Sequence, residues 1–142
     1  MIAVALRFAE TFAPETGTIN AHQEIIAQYG FVWYGKLGLP ISEKNQQILL
    51  QNDDPKILLV HSGKSDRYWA HFDKMQRDMP EEGIPPYYGE MINKMKTWFR
   101  VTKIEAADKS VMSKCFVKSS GVSLTEVSKH SISPYFIINY QE

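Results

Sequence analysis

The sequence predicts an α+β domain, a small curled β-barrel flanked by short helices. Three observations lead there. Six short runs alternate apolar and polar residues with the two-residue period of half-buried strands. Helix-capping signals fall between those runs. The 142 residues, 44% hydrophobic and 23% charged, suit a single domain over 1–142 with a core of its own.

The first strand covers about Met1–Phe8, with Ile2, Val4, Leu6 and Phe8 on one side and Ala3, Ala5 and Arg7 on the other. A loop with Pro14 and Gly17 leads to a helix over Asn20–Gln28, with Asn20 at the N-cap and Gln23 three residues on. Gly30 suits the left-handed position past the helix end. Phe31–Leu37 is a strand, stopped by Pro40, and Ser42–Gln51 a shorter helix. Lys56–His61 and Arg67–Asp73 form a hairpin through Ser62–Asp66. Met75–Pro86 is an acidic, proline-bearing loop, and Gly89–Lys96 makes one or two helical turns. Trp98–Ile104 is a strand, and Ser123 with Glu126 opens a short helix to about Lys129. Tyr135–Tyr140 is the last strand.

Lys and Arg number 16, as do Asp and Glu, so charge alone does not direct the chain to a polyanion. The distribution is uneven. Residues 1–90 carry eight basic and twelve acidic groups; residues 91–142 carry eight and four. Lys94, Lys96, Arg100 and Lys103 are therefore expected to form a positive surface beside the aromatic site. No run approaches the roughly 20 apolar residues of a membrane helix, and no leader pattern opens the chain. With one cysteine, Cys115, neither an internal disulfide nor a multi-cysteine metal site is available. The expectation is a cytoplasmic chain with no membrane partner.

Few motifs demand chemistry. Gly63-Lys64-Ser65 lacks the glycine five positions earlier that a phosphate loop needs, since Leu58 stands there, and a strand follows it. A hairpin turn is the simpler role, with Lys64 free to meet a phosphate. The four histidines show no metalloprotease spacing, so no metal, cofactor or catalytic residue is assigned. His61 and His71, on paired strands, stand as bases only for an alternative reading as a small enzyme. His22 reads as a packed, hydrogen-bonded residue.

Aromatic residues make up 12% of the chain and fall in adjacent pairs: Trp33-Tyr34, Tyr68-Trp69, Tyr87-Tyr88, Trp98-Phe99 and Tyr135-Phe136. Strand neighbours point to opposite faces, so each strand pair sends one ring to the core and one outward. Lys36, Arg67 and Arg100 stand two residues from Tyr34, Trp69 and Trp98. Rings beside cations suit stacking on a base with phosphate contact.

The stretches 30–36, 57–72, 84–88 and 98–105, with the terminal Ser133-Pro134-Tyr135-Phe136-Ile137-Ile138, together resemble the PUA-like superfamily, especially its EVE and YTH-like branches. That resemblance implies a small β-barrel with an aromatic-walled pocket that takes a flipped, in some cases modified, base. It makes Trp33, Tyr34, Trp69 and Trp98 candidate cage rings, with Ser62 and Lys64 meeting sugar or phosphate and Lys36, Arg67 and Arg100 beside them. The expected function is non-catalytic binding of a nucleobase or nucleotide, within nucleic acid or free. The rival from another class is a protein-interaction module, an inhibitor or adaptor, with exposed aromatics as its anchors.

Overall fold

The structure, a computed structural model, describes residues 1–8, 10, 11, 13–61, 64–130 and 135–141, with 128–130 as backbone only. Strand β1 (Ile2–Phe8) runs parallel to β3 (Lys56–His61) and antiparallel to β7 (Tyr135–Tyr140). Between β1 and β3 the chain makes helix α1 (Thr18–Tyr29), strand β2 (Val32–Leu37) and helix α2 (Glu43–Leu50). β4 (Arg67–Gln76) returns beside β3, and β5 (Met95–Ala106) lies between β4 and β2. β6 (Cys115–Val117) pairs with β7, and α3 (Leu124–His130) packs beside it. The seven strands form one mixed sheet in the order β2-β5-β4-β3-β1-β7-β6.

Alternation sorts the core. Val4, Leu6 and Phe8 join Val32, Tyr34, Ile57, Leu59, Phe72, Phe99 and Val101 on the inner face, under α1 and α2. Ala3, Ala5, Leu58, Val60 and Trp69 pack on the other face with Val111, Cys115 and Leu124. A third cluster lies outside β2 and β5, where Trp33, Met95 and Trp98 are covered by Tyr88 from the 3-10 segment Pro86–Lys94. Gly35 is needed at this contact. A Cβ there would collide with Met95 Sδ and lie 2.9 Å from Trp98 Cζ3.

The expected barrel is not closed by hydrogen bonds among the described residues. The sheet curls instead until Lys36 of β2 meets β7, its Nζ 4.9 Å from the Tyr135 ring centroid. Lys36 is 5% exposed, and its ammonium donates to the Leu37 and Leu39 carbonyls at 3.2 and 2.7 Å. Burial holds its pKa below the usual lysine range.

Several local expectations change. α1 begins at Thr18, not Asn20, because the Glu10 carboxylate takes the helix's first N–H: Thr18 N lies 2.9 Å from Oε2. Asn20 and Gln23 then point elsewhere, donating to the carbonyls of Thr16 and Ile104. Gly30 does take the left-handed position, with φ 86°. β4 continues through Gln76 into the expected loop, past irregularities at His71–Lys74 that shift its register against β5. The helical turns expected at 89–96 end at Lys94, and β5 starts at Met95. The unassigned stretch before α3 contains a 3-10 turn, Val111–Lys114, and β6.

Candidate functional site

A cleft of about 540 Å³ opens at one end of the sheet, a volume typical of small-ligand sites, which span roughly 300–1,000 Å³. Four segments build it. β1 supplies Phe8 and leads to Glu10. The first turns of α1 supply Gly17, Ile19, Asn20 and Gln23. The β3–β4 hairpin brings His61, Lys64, Asp66 and Tyr68, and the end of β5 brings Ile104, Glu105 and Ala106. These elements meet here because β1 and β3 are parallel, with Phe8 opposite His61. Tyr68, next to the start of β4, is paired with Ala106 at the end of β5.

The aromatic wall is Phe8, His61 and Tyr68. The Phe8 and His61 rings meet edge to face at 5.1 Å, and Phe8 lies 6.3 Å from Tyr68. Partial burial, then the charges of Asp66 and Glu10, hold the Tyr68 phenol above its usual pKa, so it stays a neutral donor. Glu10 ties the wall to the helix, its Oε1 3.6 Å from His61 Nε2 and its Oε2 on Thr18. Past Thr18, the N–H groups of Ile19 and Asn20 precede the first helical backbone bond, from Ala21 to Gly17.

A buried relay braces this helix end. His22 is 1% exposed. Its Nδ1 lies 2.8 Å from the Thr18 carbonyl, which only accepts, so Nδ1 carries the proton and Nε2 accepts from the Tyr88 hydroxyl at 2.6 Å. The Tyr88 oxygen in turn accepts from Gly35 N at 3.2 Å. Burial pushes the His22 pKa down to about 4, and it pushes the Tyr88 phenol well up. Tyr87, also desolvated, rises to about 12.

The residues expected from sequence divide sharply. Lys64 lines the cleft. Arg67 stands beside it but is committed to the turn, its Nη1 donating to the Lys64 and Asp66 carbonyls at 2.8 Å each. Ser62 lies outside the described residues. The four candidate rings do not share a concave site, which corrects that expectation. Trp33 and Trp98 meet in the outer cluster, Tyr34 packs in the inner core, and Trp69 lies on the other face. All four are below 10% exposed, and Trp98 is fully buried. Both faces of these strands are covered, so neither ring of an adjacent pair is left outward.

The cation–ring pairs are corrected as well. Lys36 lies over Tyr135, Lys56 over Trp69, and Arg100 over Phe31 at 4.6 Å. Strand neighbours two residues apart are separated by about 6.6 Å along the chain, whereas side chains on adjacent strands stand about 4.5–5.5 Å apart. Cross-strand partners therefore win. The basic residues after 90 do not gather at the cleft. Arg100 lies 3.7 Å from Asp73, and Lys96 stands ten residues, about 30 Å of strand, from the cleft end of β5. Lys103 alone of the four approaches it, through its 3.0 Å pair with the lining residue Glu105. His61 and His71 do not meet, since His71 pairs with Lys56 at the far end of the hairpin. There its nitrogens lie 2.8 Å from Asp54 and 3.1 Å from Glu105.

Sequence reasoning missed Phe8, Tyr68 and Gln23 as cleft residues. The available signal was position: Phe8 ends the inward series of β1 and Tyr68 begins that of β4, where an inner face reaches solvent. No group of three metal-ligating side chains occurs among the described residues, and no helix among them is long and apolar enough to cross a membrane. A family model described as Pua-like matches residues 4–141. No curated protein and no solved structure matches the chain.

Proposed function

The chain belongs to the Pua-like family, a membership that carries nucleic-acid binding as its general function, and from that premise we propose that it binds a single strand by taking one base into the cleft at the α1 N-terminus. One observation carries this reading: three rings and the uncapped N–H groups of a helix face a single opening of about 540 Å³. Rings offer a stacking platform for any base, and fixed backbone donors offer a way to read its edge. Lys64 at the hairpin tip supplies a cation for the strand's phosphate. The buried His22–Tyr88 relay sets the helix end before the ligand arrives, which lowers the cost of ordering on binding. The resemblance to EVE and YTH-like domains supports the same mode.

The test is fluorescence anisotropy with a labelled nine-nucleotide single strand. Tyr68→Ala weakens binding by roughly 1–3 kcal/mol if its ring carries a base, while Tyr68→Phe retains most of the affinity. A folded Tyr68→Ala protein that binds like the parent overturns the assignment of the cleft.

A further inference from the structure

The charges around the cleft are at odds with a site for phosphate. Glu10, Glu15, Asp66 and Glu105 line it, against Lys64 and the ionisable His61. Two of the carboxylates are already engaged. Glu10 accepts from Thr18 N and Oγ1 at 2.9 and 3.3 Å. Glu105 is held by His71 at 3.1 Å and Lys103 at 3.0 Å, contacts that also hold its pKa below the usual carboxylate range. Glu15 and Asp66 carry no ion pair with a described residue, and both are exposed at the rim.

We infer that the cleft selects a base bearing an exocyclic amino group, cytosine or adenine, and keeps the phosphates of its strand outside. This rests on the nucleic-acid reading above and narrows it. An ionised carboxylate only accepts hydrogen bonds, so Glu15 or Asp66 pairs with an amino group and repels the carbonyl that uracil or thymine has in its place. The donors in the same cleft, the helix N–H groups and the Tyr68 hydroxyl, remain for the base's carbonyl or ring nitrogen. A phosphate in the cleft would face like charge on several sides, with one lysine to offset it. Lys64 sits on the hairpin tip, where a strand passing the mouth meets it from outside.

Cytosine and uracil have the same ring size and differ at C4, so one substitution isolates the effect. Binding of a uridine nonamer is compared with that of the same strand carrying one central cytidine, at fixed salt and pH 7.5. The cytidine strand binds on the order of tenfold tighter, and the Glu15→Gln/Asp66→Asn variant, folded by circular dichroism, loses that preference. In competition, cytidine displaces the strand at least as well as cytidine 5′-monophosphate. Equal binding of the two strands by the parent protein, or a monophosphate that competes tenfold better than the nucleoside, overturns the inference while leaving the strand-binding reading intact. Failure to bind any strand overturns both.

Discussion

The Nε2 of His22 lies 2.6 Å from the hydroxyl of Tyr88, joining α1 to the segment that covers β2 and β5. The pair are 66 residues apart and both almost fully buried. Their link passes through Thr18 to the cleft wall on one side and through Gly35 to β2 on the other. The fold therefore places its most buried polar chain directly behind the candidate site, which fixes the helix end without exposing the groups that fix it.

This relay makes stability depend on pH. The folded-state pKa of His22 is near 4, against 6.5 for a free histidine. As pH falls below 6.5 the unfolded chain takes a proton that the folded chain refuses, so stability drops until the folded pKa is reached. The contribution is fully present above pH 6.5. Its loss by pH 4 amounts to about 3 kcal/mol, at 1.36 kcal/mol per pKa unit. Urea unfolding at steps between pH 7.5 and 4.5 measures it, and His22→Gln flattens that part of the profile.

Trp98 behaves as a core residue. It has no exposed surface and packs against Trp33, Tyr88 and Met95. Trp98→Ala costs on the order of 3–5 kcal/mol of stability, measured by chemical denaturation. Trp98→Phe, which keeps a ring in place, retains strand affinity within about twofold of the parent in anisotropy.

Lys64 supplies the cation at the cleft mouth, so strand binding is salt-sensitive there. Lys64→Gln lowers affinity and reduces the slope of log affinity against log salt by roughly 0.7, one phosphate contact on a single strand. Arg100→Gln, removing a charge that stacks on Phe31 and faces Asp73, leaves the slope unchanged. Titrations between 50 and 200 mM salt separate the two.

Much of the fold was legible because strand alternation is a local signal. Val4, Leu6 and Phe8 against Ala3 and Ala5 assign two faces that the structure keeps. The site was less legible. Trp33, Trp69 and Trp98 looked like exposed rings because alternation cannot say whether a sheet's second face is covered. Here the 84–94 segment, β6 and α3 cover it. The Glu10 cap on Thr18 crosses a loop, and the Lys36–Tyr135 contact joins strands 99 residues apart in sequence. Spacing does not encode such contacts. The hairpin tip did announce Lys64, because its turn residues lie together in the chain.

The account's central claim is the location of the strand, and backbone amide shifts during a titration test it most directly. The uridine nonamer with a central cytidine, added to isotope-labelled protein, is expected to shift the amides of Ile19, Asn20, Gln23, Lys64, Tyr68 and Ala106 first and most. Trp33 and Trp98 indole signals stay in place. Shifts that instead gather at Leu37 and Leu39, the exposed apolar residues after β2, with the cleft amides unmoved, would contradict it.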